Sequence, residues 1–169
     1  MAKTLTHLDE RGKAQMVDVS AKPETARSAI AQGEIELTRE AFLAVKNNLL
    51  SKGDALQIAR LAGIQAAKKT WELIPLCHQI PLASISVEFM LRPRTNVIEI
   101  TAEARTSLAQ TGVEMEVLTA VSITALTIYD MTKSISHEHT IRHVKLLEKR
   151  GGRSGIWRAA PTIRKPLSR

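Results

Sequence analysis

The sequence predicts an α+β sandwich with helices on one face of an antiparallel sheet, and three observations carry that reading. Ile85, Val87, Phe89 and Leu91 alternate with Ser84, Ser86, Glu88 and Met90, and Ile98, Ile100, Ala102 and Ala104 alternate with Glu99, Thr101 and Glu103. The link Arg92-Pro93-Arg94-Thr95-Asn96 suits a hairpin between these half-buried strands. Segments with helical spacing flank the pair, and 169 residues suffice for one core.

Taken in order, Lys13 to Val19 reads as a short extended segment. Pro23, suited to a first helical turn, precedes Glu24-Thr25-Ala26-Arg27-Ser28-Ala29-Ile30, so a short helix ending near Gly33 is expected. Thr38 caps a second helix through Val45. Between Asp54 and Trp71, Leu56, Ala59, Gly63, Ala66 and Ala67 recur every three or four residues, the spacing of one helical face. The small residues on that face let another backbone approach closely. Gly112 to about Ser136 is a long apolar helix, and Val144, Leu146 and Leu147 mark a last strand before Gly151-Gly152.

A composition of 44% hydrophobic and 24% charged residues is that of a globular protein. No apolar run reaches the roughly 20 residues a spanning helix needs, and Met1 to His7 lacks a signal peptide's apolar core, so a cytoplasmic location without membrane attachment is expected. The single cysteine, Cys77, excludes an intrachain disulfide framework and a four-cysteine zinc site. Aromatics at 3% are too few for a stacking platform on single-stranded nucleic acid. The net charge of +7 is local: from Arg142 onward nine Lys or Arg face Glu148 alone, so that segment carries +8 and the preceding 141 residues carry −1. After Pro161 little remains to bury, and residues 159–169 read as a basic, frayed tail beyond a single domain over 1–158.

Chemistry-bearing residues fall in separate clusters. Lys52 precedes Gly53-Asp54 at a helix start, where its ammonium can meet an anion; the simpler reading has Asp54 capping and Lys52 solvated. His78 lies in the proline-bracketed run from Ile74 to Leu82, where it can act as a positioned acid or base. Cys77 and His78 do not form a nucleophilic dyad, because adjacent side chains in extended backbone point apart, and core burial is the simpler role for Cys77. Glu114, Met115 and Glu116 open the long helix and Asp130 and Lys133 close it, an order the helix dipole also favours. Asp130 sits in an apolar run where an ionised group is costly unless paired or employed. Glu116 and Asp130 are about 21 Å apart along a helix, too far for one small ligand, so one shared site requires an antiparallel second copy. His137, His139 and His143 would share a strand face, which makes a metal site conceivable, although a plain surface strand is the simpler account. Gly151-Gly152-Arg153-Ser154-Gly155 matches a phosphate loop in composition only, yet Lys149 and Arg153 beside those glycines can bind phosphate oxygens by charge.

Met16-Val17-Asp18-Val19-Ser20, Lys52-Gly53-Asp54, Ala62-Gly63-Ile64-Gln65-Ala66-Ala67-Lys68, Leu73-Ile74-Pro75-Leu76-Cys77-His78, Thr111-Gly112-Val113-Glu114-Met115-Glu116 and Leu126-Thr127-Ile128-Tyr129-Asp130-Met131 together resemble the molybdenum cofactor biosynthesis protein C family, the cyclic pyranopterin monophosphate synthases, from about His7 to Gly155. The resemblance implies a ferredoxin-like subunit in a trimer of dimers, with active sites at dimer interfaces. It implies a lyase that converts a cyclised dihydro-GTP into cyclic pyranopterin monophosphate and pyrophosphate. By motif, Leu76, Cys77 and His78 bind substrate on one side, Met115 and Glu116 on the other, and Asp130 is catalytic. The resemblance also matches Lys52, Glu114 and Lys133 to further functional positions and implies Arg27, Lys149 and Arg153 as triphosphate ligands. No tightly bound cofactor or protein metal site is implied, only Mg²⁺ accompanying the triphosphate. The family pattern has Lys at 110, Pro at 79 and an uncharged residue at 150, where this chain has Gln110, Gln79 and Arg150. A noncatalytic nucleotide- or RNA-binding module built on the basic C-terminal segment is the alternative.

Overall fold

In the computed structural model, residues 11–153 and 155–160 are described; the N-terminal heptapeptide and most of the proposed tail lie outside them. Strand β1 (Thr25–Glu36) leads to helices α1 (Arg39–Lys46), α2 (Ala55–Lys68) and α3 (Thr70–Leu73). The hairpin β2 (Ser84–Arg92) and β3 (Val97–Ala109) follows, then α4 (Glu114–Thr132), β4 (Thr140–Arg150) and β5 (Ile156–Arg158). The sheet order is β2-β3-β1-β4-β5 with antiparallel pairing throughout. The first four strands have the ferredoxin-like arrangement, and β5 extends the edge beside β4.

The segment expected to be a helix after Pro23 is instead the central strand β1, paired with both β3 and β4. Glu, Ala and Arg favour a helix locally, but Ala29, Ala31, Gly33 and Ile35 recur at period two and all are buried. Burial in the middle of a sheet outweighs a propensity of a few tenths of a kcal/mol per residue. The predicted hairpin, the Thr38-capped helix and the Asp54-capped helix are all present. Thr38 Oγ1 accepts from Ala41 N at 3.5 Å, and Asp54 Oδ1 accepts from Leu56 N and Gln57 N at 3.0 and 3.1 Å. Strand β5 leaves no mark in the sequence, because three exposed residues carry no periodic signal.

One core joins the inward faces of β1, β2 and β3 to the helices, with Val117, Val121, Ala125 and Ile128 of α4 fully buried at its centre. Two glycines allow this packing. A Cβ on Gly33 of β1 would stand 2.6 Å from Val121 Cγ1. A Cβ on Gly63 of α2 would collide with Thr124 Oγ1 of α4 and lie 3.0 Å from the Ala120 carbonyl. The close approach expected from the small residues of α2 is therefore made to α4.

Because a methyl group at position 63 would meet both the buried Thr124 hydroxyl and the Ala120 carbonyl, Gly63→Ala should destabilise the fold by about 1–3 kcal/mol, the usual range for overpacking. A lowered urea midpoint at unchanged m-value would show it; an unchanged midpoint would mean that α2 and α4 can separate freely.

Candidate active site

The packed helix α4 holds a polar cluster at each end. At its C-terminal end Lys133 Nζ lies 2.7 Å from Asp130 Oδ1 and Lys52 Nζ lies 3.7 Å from Asp130 Oδ2. Lys52 also donates to the Asp130 carbonyl at 3.2 Å, where the negative end of the helix dipole favours a cation. It reaches this position because Gly53 adopts φ +97° and closes the turn before α2. Lys52 is thus drawn to Asp130 and is more than a solvated neighbour of the Asp54 cap.

Asp130 is not buried, contrary to the expectation from its apolar surroundings in sequence: its side chain is 58% exposed. The apolar residues around it face the core, while position 130 falls on the outer side of the helix. The hydrogen bond and charge of Lys133, then the charge of Lys52, hold its carboxyl below the ordinary aspartate range. Asp130 correspondingly raises Lys133. Exposed pairs of this kind contribute little to folding, so their assembly at one point is better explained by chemistry.

At the N-terminal end, α3 and a turn in which Cys77 N donates to the Ile74 carbonyl bring Leu76, Cys77 and His78 against the first turn of α4. These residues, with Met115 and Glu116, line a cavity of about 330 Å³. Cys77 is half-buried on its wall and is not a core residue. Burial, and then the charge of Glu116, push its thiol up, which argues against a thiolate nucleophile. His78 Nε2 lies 2.9 Å from the Val17 carbonyl. A carbonyl can only accept, so Nε2 carries a proton, and in the neutral ring Nδ1 is free to accept one.

Glu116 is only 4% exposed, and its Oε2 has no hydrogen-bond partner among the described residues. Burial pushes its pKa up to about 7, with the charge of Glu114 adding to the rise against a backbone hydrogen bond that lowers it. The two ends of α4 therefore hold carboxyls of opposite character: one anionic between ammoniums, the other poised to exchange a proton near neutrality.

Beside this cavity, Arg27 Nε and Nη2 donate to the carbonyls of Ala109 and Gln110 at 2.9 Å each. Gly152, at φ +68°, lies so close that a Cβ there would stand 2.7 Å from Arg27 Nη1. Arg27, Gln110, Gly152 and Arg153 share a cleft of about 430 Å³. Lys149 Nζ is 3.0 Å from Glu114 Oε1, so it and Glu114 form a pair. Arg150, the added cation, pairs with Glu148 and lines a different cleft beside Arg105. Gln79 lines a further cavity with Trp71 and Pro75. Val17 and Val19 also line the Cys77–His78 cavity, a placement that a short extended segment does not disclose because the contacts are long-range.

The histidines do not form a shared strand face. His137 and His139 precede β4, and His143 lies within it at φ +58°. His139 is buried edge-on against the Tyr129 ring, with centroids 5.4 Å apart. Among the described residues no cluster of three or more His, Cys, Asp or Glu is arranged to hold a metal, and no helix is long and apolar enough to cross a membrane. Among the described residues of the basic C-terminal segment, Arg142 pairs with Glu34 and Glu36, Lys149 with Glu114, and Arg150 and Arg158 with Glu148.

The raised pKa of Glu116 has a signed consequence for stability. The folded chain holds this proton more tightly than the unfolded chain, so Glu116 favours the folded state at low pH. That advantage declines as pH rises from about 4.5 to about 7 and is absent above. Glu116→Gln should flatten a slope on the order of 1–3 kcal/mol across this window. Urea unfolding at several pH values checks it, and an unaltered slope in the variant would assign the effect elsewhere.

Comparison with known proteins agrees with this geometry. A sequence model of the MoaC family matches residues 16–152. A relative from Thermomicrobium roseum named cyclic pyranopterin monophosphate synthase is 52% identical over 154 residues, covering 91% of this chain and 92% of its own. One of the same name from Chloroflexus aurantiacus is 53% identical over 153 residues, covering 90% and 93%. Molybdenum cofactor biosynthesis protein 1 of Drosophila melanogaster is 48% identical over 157 residues, covering 93% of this chain but 28% of its own length. With the family model spanning both ends of α4 and relatives of this similarity matched nearly end to end, the chain belongs to the MoaC family.

Proposed function

We propose that the chain is a cyclic pyranopterin monophosphate synthase, a lyase acting in molybdenum cofactor biosynthesis on a cyclised dihydro-GTP and releasing pyrophosphate. The observation that carries the reading is the pair of clusters at the two ends of α4, together with relatives of that name at about half identity. Rearranging the nucleotide requires proton transfers at several atoms. Asp130, kept ionised, is a base beside the acid Lys133, while Lys52 holds negative charge as it develops. Glu116 can return a proton near neutrality, and His78 Nδ1 can accept one.

The phosphates suit the Arg27–Arg153 cleft, while the neighbouring cavity takes the ring system against Leu76, Cys77 and Met115. Cations around the α-phosphate and leaving pyrophosphate favour attack by a hydroxyl on the α-phosphate. Lys149, already paired with Glu114, helps only if the triphosphate competes for its ammonium. Mg²⁺ enters as part of the substrate, carried on phosphate oxygens.

One subunit does not bring the two clusters together, because fourteen helical residues, about 21 Å, separate Glu116 from Asp130. A two-fold axis beside Ile123, midway between them, would set Glu116 level with Asp130 of a second copy. Met115, Thr119, Ser122, Leu126 and Asp130 fall on one side of α4; Met115 and Leu126 are 38% and 52% exposed, two apolar side chains that such pairing would cover. The reading therefore includes a homodimer with two composite sites, within a hexamer built as a trimer of dimers. A cytoplasmic setting fits this biosynthetic role. The RNA-binding alternative is not favoured, since the relatives are named as synthases and Arg142, Lys149, Arg150 and Arg158 are each paired with carboxylates.

Asp130→Asn should fold as stably as the wild type yet lower pyrophosphate release from the cyclised nucleotide by about 10²–10⁴-fold. Mixing inactive Asp130→Asn with inactive Glu116→Ala after reversible dissociation should restore about a quarter of wild-type activity, because each hybrid dimer rebuilds one intact site. No restoration in mixed dimers, or full activity in isolated single chains, would reject the composite site.

A further inference from the structure

The last turn of α4 carries Asp130 and Lys133, whose side chains are 58% and 49% exposed. The final carbonyls of a helix lack partners within it, so such a turn frays unless something outside holds it. Lys133 N and Thr132 Oγ1 donate to the Tyr129 carbonyl at 2.8 and 3.3 Å, but both bonds lie inside the turn. Lys52 reaches it from one side, by donating to the Asp130 carbonyl. From the other side the tie is the Tyr129 side chain. Its hydroxyl donates to the His137 carbonyl at 3.0 Å, and its ring stands edge-on to His139. His139 is buried, and neither of its ring nitrogens has a hydrogen-bond partner among the described residues, so the ring acts here as a wall. Tyr129 is four residues before Lys133, one helical turn, which makes phenol and ammonium neighbours on one face. Asp130 is the main cause that raises Lys133, and Tyr129 adds to the rise, as that proximity requires.

We infer that Tyr129 is a positioning residue for the proposed reaction: its ring, braced on His139, and its hydroxyl, tied to the His137 carbonyl, hold the last turn of α4 so that Asp130 and Lys133 stay paired and in place for substrate. The inference rests on the function proposed above and adds a residue that touches no substrate. Two exposed side chains have many conformations open to them, and proton transfer is fast only from a narrow set.

The test compares full-length Tyr129→Phe with the wild type. Phenylalanine keeps the ring against His139 and removes only the hydroxyl tie. That tie is exposed, so the melting temperature should stay close to the wild type. Hydrogen exchange followed by NMR should show the Lys133 amide exchanging about tenfold faster, with the core amides of Val121 and Ala125 unchanged. With the cyclised nucleotide, kcat should fall about tenfold while KM changes much less, because the loss is of geometry and not of binding contacts. Wild-type kcat in Tyr129→Phe, or exchange that quickens equally through the core, would overturn the assignment. If the wild-type protein fails to convert the cyclised nucleotide, the parent reading falls, whereas exchange at Lys133 still decides whether Tyr129 holds the turn.

Discussion

Helix α4 lies against both β1 and α2 at a distance that only glycine permits at Gly33 and Gly63. This close packing is the constraint on which the rest of the molecule depends. With Val117, Val121, Ala125 and Ile128 fully buried, the helix cannot roll or slide without opening the core. Its two ends are thereby fixed relative to the sheet, and so are the groups mounted on them. Lys52 reaches one end from the loop before α2, and the Leu76–His78 segment reaches the other from the loop after α3.

The same helix creates two electrostatic environments. Its C-terminal end lies in solvent, where two ammoniums keep Asp130 ionised at little cost to the fold. Its N-terminal end dips into the cavity, where burial brings Glu116 to the edge of ionisation at neutral pH. Proton chemistry needs both kinds of group, and straight geometry keeps them apart within one chain. In the proposed homodimer, a second copy would join the opposite ends along the exposed Met115–Leu126 side of α4.

Much of the architecture was legible in sequence because period-two and helical spacing report burial on one face. The β2–β3 hairpin, the Asp54 cap and the small-residue face of α2 are examples. β1 was misread because its alanines and charged residues satisfy helical propensity, while its period-two burial depends on two strands distant in sequence. The ordered motifs name the candidate residues, and the structure gathers Leu76, Cys77, His78, Met115 and Glu116 at one end of α4 and Lys52, Asp130 and Lys133 at the other. The physical state of the site was not legible: Asp130 looks buried within an apolar run until the outer side of the helix is located, and the basic C-terminal segment looks free until Glu34, Glu114 and Glu148 are found beside it.

The sequence by itself determined the family pattern, the α+β class and the separation of Glu116 from Asp130 on one helix, because these follow from residue order, periodicity and rise per residue. Only the tertiary structure decided that β1 is the central strand and that Glu116 is buried while Asp130 is clamped in solvent. Each of those outcomes depends on which distant segment supplies the neighbouring atoms, and burial and electrostatic interaction act through space, not along the chain.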